Sequence, residues 1–115
     1  MALNDIQLQE IKKAGNAFLE KCRPPEEIRH ELDLAFRVEK QSVFIYEIRP
    51  AWHNPDERME KPIAKTTYVQ TERYWKVYWK RADMKWHGYM PVPVVKYINE
   101  FFDLVDEDEY GCFFG

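Results

Sequence analysis

The run Tyr74-Trp75-Lys76-Val77-Tyr78-Trp79-Lys80 constrains this chain more than any other segment. Side chains of a strand point alternately to opposite faces, so the run divides into Trp75, Val77 and Trp79 on one side and Tyr74, Lys76, Tyr78 and Lys80 on the other. An apolar aromatic face beside a cationic one is the pattern of a half-buried strand in an antiparallel sheet. A turn at Thr71–Glu72 pairs the run with Ile63–Gln70, setting Tyr68 opposite Trp75, Thr66 opposite Val77 and Ala64 opposite Trp79. That face is expected to form the core. Lys65, Thr67, Val69, Tyr74, Lys76, Tyr78 and Lys80 fall on the other.

The rest of the chain supplies layers for such a sheet. Leu8, Ile11, Phe18 and Cys22 recur at helical spacing, which predicts an amphipathic helix over 5–21. Asn4 with Gln7 has the form of a capping box, and Leu3 is placed for a staple contact. Pro24–Pro25 ends this helix and opens a short second one, with Ile28 and Leu32 on one face. After Asp33 the period changes to alternation: Leu34, Phe36 and Val38, then a connection at Glu39–Gln41, then a strand over 42–49. That second strand is apolar on both faces and is expected to be central and covered on both sides. The prolines at 50, 55 and 62, with His53 and Asn54, predict a long loop. Trp86–Tyr89 is read as a short fifth strand. A last helix is expected over 94–105, burying Val95, Ile98, Phe101, Phe102 and Val105, followed by an apolar tail from Tyr110 that packs down. The expectation is one α+β domain over 1–115, with N-terminal helices, an antiparallel four- or five-stranded sheet of two hairpins, and a C-terminal helix packed on it.

Composition fits a compact domain: 45% hydrophobic, 32% charged and 16% aromatic residues exclude a disordered chain. No apolar run approaches the ~18 residues of a membrane span, and Asn4, Asp5, Gln7 and Gln9 interrupt any signal-like segment. A cytoplasmic protein without membrane partners is expected. Cys22 and Cys112 lie in no CxxC or Cys/His spacing and read as reduced structural thiols, with no metal site and no cofactor. Net charge is −3, unevenly spread. From Lys61 to Lys85 there are seven bases against Glu72 and Asp83, while Tyr97 onward carries six acids and no base.

Several stretches carry a resemblance: Gln41-Ser42-Val43 through Glu47-Ile48-Arg49-Pro50, Tyr74-Trp75 through Tyr78-Trp79 with Arg81-Ala82-Asp83, Lys85-Trp86-His87, and Asp106–Tyr110. In these the chain resembles, over nearly its whole length, the small bacterial proteins of domain-of-unknown-function family 3024. The resemblance implies no activity, substrate or catalytic residue.

Function is therefore read from residues. Lys65, Tyr74, Lys76, Tyr78 and Lys80 interleave ammonium groups with phenol rings, the chemistry that meets phosphates and stacks bases of single-stranded nucleic acid. The plainer reading of the same face is a solvated surface whose lysines guard against edge pairing. A non-catalytic binding module is the leading expectation, with a protein–protein or homodimeric interaction domain as one alternative. The other is a metal-dependent nuclease, since Pro55-Asp56 and Asp83-Met84-Lys85, with Glu47 as a further ligand, imitate a Pro-Asp…Asp-x-Lys arrangement. Glu47 and Arg49 otherwise read as a structural ion pair. His30, His53 and His87 are scattered. The acidic run Asp106–Glu109 sits where a helix dipole disfavours it, so it is expected either to lie beyond the helix or to find cations, with Lys76 and Lys80 as candidates it would mask.

Overall fold

The computed structural model describes Leu3–Phe114. Helix α1 spans Asp5–Cys22 and opens with the expected capping box. Asn4 Oδ1 accepts from the Gln7 N–H at 2.8 Å, and Gln7 Oε1 accepts from the Asn4 N–H at 3.0 Å. Leu3 is buried beside this start. The expected second helix shrinks to a single 3-10 turn, Glu26–Ile28. Pro24 and Pro25 stop α1, and the first strand begins at Asp33, leaving no length for a regular helix between them. The two ends are tied directly: the Arg23 guanidinium donates twice to the Asp33 carboxylate, at 2.8 Å each.

Six strands follow: β1 Asp33–Glu39, β2 Ser42–Ala51, β3 Asn54–Val69, β4 Tyr74–Lys80, β5 Trp86–Gly88 and β6 Val94–Val95. All pairings are antiparallel in the order β1-β2-β3-β4-β5, and β6 also lies on β4. The α+β architecture is the one expected. The second hairpin has the expected register, Tyr68↔Trp75, Thr66↔Val77 and Ala64↔Trp79. The last helix, α2, runs Ile98–Glu107 and so starts later than the expected Val94. Val94 and Val95 are drawn instead into pairing with Lys76 and Trp75, a use that suits β-branched residues.

Both helices pack on one face of the sheet, against Phe36, Val43, Ile45, Ala64, Thr66, Trp75 and Val77. Rings of Phe18 and Phe102 approach to 5.4 Å, and Phe36 meets Phe102 edge-on at 5.7 Å. Ile98, Phe101, Phe102 and Val105 of α2 are buried there, each side chain stabilising the fold by roughly 1.5–3 kcal/mol. Thr66 is wholly buried, and its hydroxyl donates to the Lys76 carbonyl at 2.7 Å. Trp79 lies at the rim, half-buried, with the Arg81 guanidinium 5.6 Å from its ring. The tail packs as expected through Phe113, which is buried on Tyr89 at 4.9 Å. Asp108 shapes that tail from a left-handed cap (φ 41°), its carboxylate accepting from the Phe113 and Phe114 N–H groups.

Two expectations need correction. Strand β2 is not covered on both sides: Val43 and Ile45 are fully buried under the helices, but Phe44 and Tyr46 are only half-buried on a face that neither helix covers. What shields them is neighbouring side chains rather than another layer. Nor is 50–62 a loop. There β2 and β3 run on together as a two-stranded arm that turns at Trp52–His53, with Trp52 91% exposed. Prolines did not break the strand because only β2 accompanies β3 in the arm, and a missing N–H on an unpaired edge sacrifices no ladder bond. Arg58 braces the arm, its Nη1 reaching the carbonyls of Arg29 and His30 at 3.4 and 3.2 Å.

Two outcomes follow from this packing. A Cβ added at Gly15 would collide with the Phe36 ring, which is itself held against Phe102. Overpacking of that kind costs about 1–3 kcal/mol, against about 1 kcal/mol gained in helix propensity. Gly15→Ala should therefore lower stability in a denaturant melt, and should raise it when Phe36 is first cut to Ala. The Arg23 guanidinium holds the Asp33 carboxyl below the usual carboxylate range. Because the folded-state pKa is depressed, this contribution is present above the ordinary carboxylate pKa and lost as pH falls through the folded value. Asp33→Asn should flatten the acid limb of the stability–pH curve.

Candidate nucleic-acid interface

The sheet face away from the helices is built around Lys65. The β2–β3–β4 register sets Phe44 and Tyr78 directly beside it on either strand, and β5 brings Trp86 to the same spot through its pairing with Lys80. The Lys65 ammonium lies 5.3 Å from the Tyr78 ring, 5.6 Å from Phe44 and 5.9 Å from Trp86. Lys80 approaches Trp86 from its other neighbour position, at 5.4 Å, and Phe44 and Trp86 are 6.1 Å apart. Tyr74 and Lys76 continue the face along β4. Ser42 and Thr67 are joined across it by a 2.7 Å hydroxyl–hydroxyl hydrogen bond, and Arg37 lies over Tyr46 at 5.2 Å.

All five residues expected on this face are on it. Sequence reasoning missed Phe44 and Trp86. Strand alternation alone would place Phe44 opposite the buried Val43 and Ile45, but its juxtaposition with Lys65 needed the β2–β3 register, which passes through a bulge at Ile45/Tyr46.

Among the described residues, no carboxylate lies within ion-pair distance of Lys65, Lys76 or Lys80. The acidic run does not mask them, contrary to the pairing its charge suggested. It ends α2 on the helical side of the sheet, where Asp106 accepts from the Cys22 thiol at 2.9 Å and pairs with Lys21 at 3.6 Å. Burial, with the Asp106 carboxylate beside it, pushes the Cys22 thiol up to about 12, so this cysteine is a packed hydrogen-bond donor and a poor nucleophile. Neither cysteine is in a disulfide.

The residues of the Pro-Asp…Asp-x-Lys pattern are not assembled into one centre. Asp56 is exposed on the arm, roughly 26 Å of strand beyond Ala64, where β4 takes up the pairing. Asp83 sits in the β4–β5 turn, accepting from the Lys85 N–H at 2.9 Å and bonded to His87 Nε2 at 2.8 Å; these bonds hold its carboxyl below the usual range. Glu47 is buried and paired with Arg49 at 2.9 Å, the structural ion pair anticipated. No cluster of three metal-ligating side chains occurs among the described residues. His53 and His30 are likewise surface groups, beside Glu57 and Glu31.

Against known families, the model of the "Domain of unknown function (DUF3024)" matches residues 3–115. The chain belongs to the DUF3024 family. No curated protein and no solved structure matches it. Among the described residues, no helix of this DUF3024 domain is long and apolar enough to cross a membrane.

The rings around Lys65 have a measurable worth. Lys65→Met keeps the aliphatic stem but removes the ammonium, and should lower unfolding free energy by about 0.5–1 kcal/mol in denaturant melts. Lys76→Met, at a position that overlies no ring among the described residues, should change it by less than about 0.5 kcal/mol.

Proposed function

We propose that this domain is a non-catalytic binding module that takes single-stranded nucleic acid on the uncovered sheet face. The observation that carries the reading is the Lys65 ammonium set among Phe44, Tyr78 and Trp86, with Lys76 and Lys80 alongside and no carboxylate among the described residues neutralising them. Single strands offer both groups such a surface requires: bases whose flat faces stack on rings, and phosphates that attract ammonium groups. Duplex DNA suits it less well, because its bases are stacked on one another and inaccessible to a sheet face. Metal-dependent cleavage is not favoured, since Glu47, Asp56 and Asp83 are each engaged or exposed in separate places.

Fluorescence anisotropy with labelled single-stranded oligonucleotides at two salt concentrations tests this. Affinity should fall with salt, and replacing Lys76 and Lys80 should reduce the slope by about 0.7 for each phosphate that the variant no longer neutralises. Tyr78→Ala should weaken binding by about 1–3 kcal/mol while leaving the slope unchanged, because stacking releases no counterion. The oligonucleotide should emerge intact after incubation with magnesium or manganese. Absence of binding at low salt would refute the proposal.

A further inference from the structure

From Asn54 to Ile63, β3 pairs with β2 on one side only; β4 begins its pairing at Ala64. Among the described residues no strand pairs with the outer edge of the arm, which leaves its backbone groups available for another strand. Its sequence is Asn54-Pro55-Asp56-Glu57-Arg58-Met59-Glu60-Lys61-Pro62-Ile63. Prolines stand near both ends, and the stretch between them keeps every N–H donor.

Charges along that stretch change sign about Met59. Glu57 and Lys61 lie two residues to either side, and Arg58 and Glu60 one residue to either side. When two identical strands pair antiparallel across a two-fold axis, each residue meets its mirror position on the other copy. An axis through Met59 sets Glu57 against Lys61 of the second copy and Arg58 against Glu60, with the two Met59 side chains, each 52% exposed, against one another. Directly opposed charges of opposite sign stabilise a strand pair, and like charges destabilise it. Charges serving only to keep an edge soluble would have no need of this antisymmetry.

The length fits as well. With the axis at Met59, Asp56 of one copy meets Pro62 of the other, two residues short of Ala64, where that copy's own β4 takes over the edge. All five residues from Glu57 to Lys61 are exposed; Glu60 lies 3.5 Å from Arg37, Glu57 is hydrogen-bonded to His53 at 3.2 Å, and Arg58 reaches the Arg29 and His30 carbonyls at 3.4 and 3.2 Å, while Lys61 makes no ion pair among the described residues.

We propose that the arm is a self-association element, joining two copies of this chain by antiparallel pairing of their β3 edges about Met59. The surface is separate from the Lys65 face, so the proposal stands independently of nucleic-acid binding.

Light scattering coupled to size exclusion, run on the intact chain over a dilution series, reads the assembly. The wild-type protein should show a concentration-dependent dimer. Glu57→Lys alone sets lysine against Lys61 twice, and Lys61→Glu alone sets acid against Glu57 twice; each should weaken dimerisation by about tenfold or more. The double variant Glu57→Lys/Lys61→Glu should recover it. So should an equimolar mixture of the two single variants, since each then meets its opposite. Unchanged circular dichroism and thermal melts of dilute samples would show that the exposed substitutions leave the monomer folded. A wild-type protein that stays monomeric at every concentration overturns the proposal. A dimer that neither single variant weakens, or that neither the double variant nor the mixture restores, does so too.

Discussion

Phe36 reaches from β1 across the sheet face into the space left by the missing side chain of Gly15, and there meets Phe102 of α2. That three-way contact sets how closely α1 can approach the sheet and brings the second helix onto the same side. Once both helices are committed to one face, the other is left to side chains alone. The cationic–aromatic face therefore exists because the core is one-sided. An added layer on that side would bury Lys65, Lys76 and Lys80 without carboxylate partners, a cost that cation–π contacts of about 0.5–2 kcal/mol could not offset.

The same asymmetry explains where the acids go. Net negative charge is concentrated on α2 and its tail, and α2 lies across the sheet from the lysines. Asp106 finds Lys21 and Cys22, while Asp108 commits its carboxylate to the backbone of the returning tail. The acids of α2 are thus neutralised on the helical side, and on the open face the carboxylates of Glu39 and Glu60 pair with Arg37 rather than with the lysines. The opposite side keeps its positive charge facing water, which is what a surface for a polyanion requires.

The arm and the open face solve different problems. On the face, strand neighbours are all satisfied and specificity can come only from side chains. On the arm the backbone itself is available, framed by Pro55 and Pro62 and by charges arranged about Met59. Exposed edges are hazardous in general, and the prolines and charges limit what can pair with this one. A narrowly defined partner is compatible with that protection; unselective pairing is not.

Much of this was legible in the sequence because it depends on local periodicity. Alternation through Tyr74–Lys80 fixed which residues share a face, the Thr71–Glu72 turn fixed the register with β3, and Asn4 with Gln7 marked the start of α1. Each is a short-range consequence of backbone geometry. The arm was illegible for a physical reason: proline and asparagine signal a loop when every strand is assumed to need its full ladder, and only the absence of a neighbour outside β3 makes them harmless there. The late start of α2 was likewise settled by β4, whose edge drew Val94 and Val95 into pairing. Phe44 and Trp86 joined Lys65 through registers crossing a bulge and two turns, which no single segment encodes. The sequence by itself determined the first helix and its cap, the faces of the second hairpin and the polarity of charge; tertiary structure alone decided which face stayed open, what surrounded Lys65, and that a stretch punctuated by prolines would become a strand, because each of those depends on which neighbour is present or missing.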